Sequence, residues 1–208
     1  RFLHYLLRQP LGVVVGFLAW NFPLLNLGYK LGPMLAAGCT GIIKPSHLTP
    51  IASLACAELA IEAGVPAGVI NVISSAHRHA TDSLLESPVP AMVTMIGSTA
   101  AGIDVMRRAA TSVKRFSVEL GGNAPVLVYD DADVKSAAQK VVGLKFANSG
   151  QVCVSPNRCF VHAAGYEAFI EAARIEAAGI ALHAGRHAGR CMGPMISDAA
   201  RQRVLGVI

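Results

Sequence analysis

A cysteine, a carboxylate and a carboxamide are the side chains of this 208-residue chain best suited by type and setting to do chemistry. Cys153 lies in Lys145 to Arg158, KFANSGQVCVSPNR, behind Asn148-Ser149-Gly150-Gln151. That run is too polar and turn-prone to continue a helix, so the thiol sits in a small-residue loop where a nucleophile could be presented. Inert packing is the other reading of a free cysteine. Glu119 ends a β-type run just before Gly121-Gly122, and the sharp turn expected there leaves its carboxylate projecting, as a salt-bridge partner or as a base. Asn21 carries the side-chain NH₂ that can hold an oxyanion, although an asparagine at a strand end is also an ordinary turn residue. Lys44, at the end of an apolar run, suits a ribose or phosphate, or is a snorkelling surface lysine. Gly97-Ser98-Thr99 opens a helix whose free amides favour an anion, or is a plain cap.

The elements that would position these groups alternate in type. Leu11 to Leu18 is a wholly apolar strand ending in Ala19-Trp20-Asn21-Phe22-Pro23, and a helix from about Leu24 to Ala37 closes at Gly38. Further strands are expected at 40–44, 69–73, 91–96 and 115–120. Helices fall between them, from Thr49-Pro50 through Ala63, around Ala80 to Glu86, and from Gly97 to about Thr111. Strand-helix alternation of this kind argues a parallel, doubly wound sheet. In such a sheet ligands collect beyond the strand carboxyl ends, where Trp20-Asn21, Lys44-Pro45-Ser46, Gly97-Ser98-Thr99 and Glu119-Leu120-Gly121 all fall. The glycine pair marks a boundary. After it come a strand (123–129), a helix opened by Asp130-Asp131-Ala132-Asp133, the cysteine loop, a strand at 159–162, a helix from Tyr166 and a Gly-rich tail. That second part is too small to close a core of its own.

Composition narrows the partners. With 53% hydrophobic and 15% charged residues the chain is mostly interior. A net charge of +5, with one basic cluster (Arg107, Arg108, Lys114, Arg115) and no interleaved aromatics, gives no nucleic-acid reader. No charge falls between Arg8 and Lys30, but Asn21, Pro23 and Asn26 interrupt the stretch, so no membrane span is expected. His77-Arg78-His79 and the His183, His187, Cys191 series lack a matched fourth ligand and are read as loops, with no metal. Five cysteines without a C-x-x-C pair point to a reducing compartment, the cytoplasm. The start at Arg1 and the end at Ile208 are read as those of a piece of a longer chain.

With these residues assembled, the chain resembles the NAD(P)-dependent aldehyde dehydrogenase superfamily. The resemblance is carried by PLGVV (10–14), WNFP (20–23), KLGPMLAAG (30–38), KPS-x-x-TP (44–50), EAGVPAGVINV (62–72), GST (97–99), ELGGNAP (119–125), N-x-GQ-x-C (148–153) and GPMIS (193–197). It implies an α/β fold, with a Rossmann-type parallel-sheet cofactor domain at 1–121 and the first part of an α/β catalytic domain at 122–208. It also implies Cys153 as nucleophile, Glu119 as general base and Asn21 as oxyanion donor. Phe17, Leu18, Ala19, Trp20, Lys44, Ser46, His47, Gly97, Ser98, Leu120 and Gly121 would line the cofactor, NAD or NADP. The partner is then a small aldehyde, and the full-length parent a homodimer or homotetramer. The 208 residues alone are expected to be inactive.

Departures from the family pattern shape the details. Members favouring NAD often place a glutamate where this chain has His47, so NADP use stays open, and Arg78 could meet a phosphate. The closest flavour is that of the succinate-semialdehyde group. Its members tend to carry arginines at the positions of Tyr29 and Ala147, and their absence leans the reading towards an uncharged aldehyde. A CoA-acylating enzyme and a non-catalytic nucleotide-binding homologue are the alternatives. Glu119 argues against the first, and the intact trio of Cys153, Glu119 and Asn21 against the second.

Overall fold

The computed structural model describes residues 2–183 and 191–207, which fall into two compact units divided between Leu120 and Gly121. In the first, β1 (Val13–Phe17), β2 (Thr40–Lys44), β3 (Ile70–Val72), β4 (Met92–Gly97) and β5 (Arg115–Leu120) build one parallel sheet in the order β3-β2-β1-β4-β5. The order reverses at β1, so the chain winds outwards in both directions from its centre, and helices α1 (Pro23–Ala36), α2 (Ile51–Glu62), α3 (Arg78–Glu86) and α4 (Thr99–Ala109) connect the strands.

Alternation of side chains sends the central strands into two cores. Val15, Phe17, Val93 and Met95 pack with Leu85 of α3 and with Val105 and Ala109 of α4. Val14 packs with Met34 of α1 and Cys39, and Ile43 with Leu18 and Leu27. Burial on both faces explains why these strands read as continuous apolar runs. β1 starts at Val13 rather than at Leu11 because Gly12 turns the backbone at φ +107. Pro23 opens α1, since its missing N–H belongs to a position without a helical acceptor.

The second unit has β6 (Ala124–Val128) and β7 (Pro156–Val161) as a parallel pair, with α5 (Val134–Phe146) and α6 (Tyr166–Ala178). Asp133 caps α5, its carboxylate accepting from the Ser136 N–H at 3.0 Å. Val128, Ala138 and Phe169 form a small cluster, so this part does gather a core, while Leu127, Tyr129 and Phe160 stay exposed. Two short strands and a helix lie among the described residues of the tail. β8 (Ala181–Leu182) pairs with β9 (Cys191–Met192), and α7 (Asp198–Leu205) starts at Ser197, whose hydroxyl accepts from the Ala200 N–H. His187 lies outside the described residues, and among the described ones no His, Cys, Asp and Glu side chains gather as a metal site would require.

Candidate active site

All five strands of the sheet run the same way, so their carboxyl ends share one edge. Phe17 stands in register with Lys44 on one side and Met95 on the other, and Ile96-Gly97 with Glu119-Leu120. Phe17 and Lys44 therefore end their strands level, Gly97 and Leu120 end theirs two residues further along the same edge, and Glu119 sits one residue short of the end of β5.

Glu119 is half exposed and forms an ion pair and hydrogen bond with Lys30, whose side chain is only 6% exposed. Lys30 is the only charged residue of α1, and its burial is tolerable because a carboxylate meets it. A cavity of about 320 Å³ lies beside the pair, with Tyr29, Met34, Thr94 and Ser117 in its wall. The Asn21 carboxamide is held by its oxygen, which accepts from Asn26 Nδ2 at 3.3 Å. The same nitrogen donates to Ala19 O at 3.1 Å, so buried Asn26 staples the turn after β1.

At the exit of β2, Lys44 is half-buried and desolvation lowers its pKa below the ordinary lysine value. Leu18 N–H donates to Lys44 O at 3.0 Å, and Thr49 Oγ1 donates to Trp20 O at 3.4 Å, which ties the β1 and β2 exits together. The Ser46 hydroxyl accepts from the Leu48 N–H, and His47 is exposed beside it. Ser98 is the N-cap of α4, its hydroxyl accepting from the Ala101 N–H at 3.2 Å. Gly97 is crowded: a Cβ there would come within 2.7 Å of Met95 Cε. Arg78 is committed elsewhere, to Asp104 at 2.6 Å and Asp82 at 3.7 Å, in a network that Arg108 completes between α3 and α4. The expected phosphate contact at Arg78 therefore competes with two carboxylates.

Cys153 belongs to the second unit and is exposed. It follows a rare backbone stretch in which Asn148 (φ 47), Ser149 (φ 59) and Gly150 (φ 74) are all left-handed. For residues with a Cβ this conformation costs roughly 1–2 kcal/mol each. Hydrogen bonds from near and far hold the stretch. Gln151 N–H and Gln151 Nε2 both donate to Asn148 O, Ser149 Oγ donates to Gly193 O at 2.7 Å, and Gln151 Oε1 accepts from the Ile196 N–H at 2.9 Å. The chain then turns through Cys153 and Val154, closed by the Ser155 N–H donating to Val152 O. The Cys153 N–H makes no hydrogen bond among the described residues, which leaves it open to an oxyanion.

Sequence reasoning missed Lys30, Ser149 and Gln151. Lys30 stood inside a quoted motif as a lone cation in an apolar helix, a signal of a buried partner. The bonds of Ser149 and Gln151 to 193–196 span 44 and 45 residues and left no local trace beyond the motif GPMIS.

Comparison with known proteins follows the same lines. The profile of the aldehyde dehydrogenase family matches residues 1–208. The mitochondrial succinate-semialdehyde dehydrogenase of Arabidopsis thaliana is 47% identical over 95% of this chain and 38% of its own length. The succinate-semialdehyde dehydrogenase (NADP(+)) GabD of Escherichia coli strain K12 is 40% identical, over 95% of this chain and 41% of its own. A crystal structure of succinate-semialdehyde dehydrogenase from Burkholderia pseudomallei superposes with a TM-score of 0.93 at 38% identity, covering 96% of this chain and 42% of that one. The chain thus spans about two fifths of the length of the curated relatives it matches.

Proposed function

This chain belongs to the aldehyde dehydrogenase family, and from that premise we propose that the intact protein oxidises an aldehyde to its carboxylic acid with NAD or NADP. The observation that carries the reading is Cys153, an exposed thiol after a left-handed turn whose backbone N–H is unengaged among the described residues. The Cys153 thiolate adds to the carbonyl carbon, and the π electrons move to oxygen as an alkoxide. Asn21 Nδ2 and the Cys153 N–H hold that charge, and losing one such donor typically slows a reaction about 10²–10³-fold. A nicotinamide bound at the sheet edge would supply the acceptor for the hydride leaving the tetrahedral carbon. The carbonyl re-forms as a thioester on Cys153. Glu119, anchored by Lys30, takes a proton from water, hydroxide adds, and the C–S bond breaks to return the thiolate and release the acid.

The cofactor fits the edge of the sheet. The desolvated Lys44 ammonium gains from an anion, and the α4 N-terminus with Ser98 suits a phosphate. Phe17, Leu18, Ala19, Trp20, Ser46, His47, Gly97, Leu120 and Gly121 are the other groups proposed to line it. His47 cannot repel a 2′-phosphate as a carboxylate does, so this position does not select against NADP.

The aldehyde's tail is proposed to be uncharged. On α1 the exposed residues Leu24, Leu25 and Tyr29 offer no cation, and Lys30 is already paired. A second reading, succinate semialdehyde, is favoured by the names of the relatives at 47% and 40% identity. The test is aldehyde-dependent reduction of NAD and of NADP by the intact protein, beside Cys153→Ser. Turnover lost in the variant is the expected result; turnover kept would overturn the thiol mechanism. A preference for succinate semialdehyde over hexanal and phenylacetaldehyde would overturn the uncharged-tail assignment. The parent is proposed to be a cytoplasmic homodimer or homotetramer, which sedimentation of the intact protein tests.

A further inference from the structure

The left-handed stretch before Cys153 stands out from the rest of the chain. Asn148 and Ser149 are the only residues with a side chain at positive φ among those described, and they are consecutive. Both lie within five residues of the exposed thiol, and Gly150 continues the same conformation. A loop of these residues has cheaper conformations available. Besides the local bonds from Gln151 to Asn148 O, relaxation is opposed from the segment 193–196. Ser149 Oγ is fastened to Gly193 O at 2.7 Å, and Gln151 Oε1 takes the Ile196 N–H at 2.9 Å, so the turn is gripped on both sides of Gly150. Gln151 Nε2, from the same side chain, also donates to Asn148 O at 3.0 Å and closes the turn on itself.

We propose that Ser149 and Gln151 are positioning residues. Through their bonds to Gly193 and Ile196 they keep residues 148–150 left-handed, and so hold the Cys153 thiol and N–H in the orientation that attacks the aldehyde. This rests on the reading of Cys153 as the nucleophile. In this role the strap acts through Cys153 rather than on the aldehyde or the cofactor. Its loss therefore misaligns the reacting sulfur and lowers kcat, with KM for both substrates little changed, because small displacements of a reacting atom carry large rate penalties.

The experiment compares Ser149→Ala with Ser149→Gly in the intact protein. Alanine removes the hydroxyl bond and keeps the Cβ that disfavours positive φ. Glycine removes the same bond and also the penalty. Expected is a kcat reduced about ten-fold or more in Ser149→Ala, KM within about two-fold, and a Ser149→Gly variant that recovers much of the lost kcat. The pH profile of Cys153 alkylation by iodoacetamide supplies a readout that fold stability does not move. Its high-pH plateau should fall in Ser149→Ala and recover in Ser149→Gly. Wild-type kcat and plateau in both variants would overturn the proposal, and so would equal impairment of both, since the conformation would then not be what the strap protects. Should Ser149→Ala fail to fold, Gln151→Leu, which removes the bonds to Ile196 and Asn148 together, is measured instead. Wild-type kcat and alkylation plateau in it overturn the proposal, and a lowered kcat and plateau with KM unchanged support it. Cys153→Ser, run in parallel, separates the two readings. If it retains activity the thiol assignment fails, whereas an inactive Cys153→Ser beside a fully active Ser149→Ala removes the strap alone.

Discussion

Lys30 and Glu119 are the residues whose joint behaviour the structure most changes. A half-exposed carboxylate tethered to a nearly buried ammonium has its orientation set without being sealed from water, which is what a base that must activate water requires. Lys30→Met keeps the volume of the side chain and removes the tether. We expect the variant to fold and its steady-state kcat to fall by about ten-fold or more, within the range that general-base catalysis supplies. A rapid burst of reduced cofactor should precede the slow phase, because the thioester forms normally and waits for water. Rapid-mixing absorbance measurements decide it, and an unchanged steady state without a burst would make the pair a structural one.

At the scale of elements, the site depends on α3 and α4 clamping one face of the sheet. Leu85 of α3 is fully buried among Val15, Val93 and Met95, so Leu85→Ala should cost about 2–5 kcal/mol, read as a lowered denaturation midpoint with an unchanged slope. The same two helices are joined by the Arg78, Asp82, Asp104 and Arg108 network. The hydrogen bond from Arg108 holds the Asp104 carboxyl below its ordinary 3.8, with the charges of Arg108 and Arg78 adding to it against desolvation. A carboxyl depressed in the folded state contributes stability that is present above pH 3.8 and lost as pH falls through the lower folded-state value. The melting temperature of the wild-type should therefore drop more steeply on acidification below that pH than that of Asp104→Asn. The pairs are exposed, so the difference will be small and should shrink further in salt. Parallel curves would show that the network adds nothing to stability.

At the scale of the whole molecule, the 208 residues correspond to about two fifths of the relatives' length, and no described helix is long and apolar enough to cross a membrane. We expect the 208-residue chain by itself to bind nucleotide weakly and to show no turnover with hexanal, phenylacetaldehyde or succinate semialdehyde. Measurable cofactor reduction by the isolated chain would refute this. Much of the architecture was legible beforehand. Apolar runs bounded by Gly and Pro located the strands β1 to β6 within a residue or two, because local sterics and side-chain alternation act over neighbours along the chain, whereas β7 starts at Pro156 rather than at Cys159. The parallel direction of the strands followed from the helices between them, and Cys153, Glu119 and Asn21 were singled out as candidates by type and place. The tail was not legible: α7 is short and polar, and β8 and β9 are two residues each, too brief for any periodicity. Only the tertiary structure decided that Lys30 answers Glu119 across 89 residues, that Arg78 is bound to carboxylates, and that Asn148 and Ser149 turn left-handed under bonds from 193–196. Such facts depend on which distant groups the fold brings within hydrogen-bond reach, and a strained turn persists only when those partners hold it.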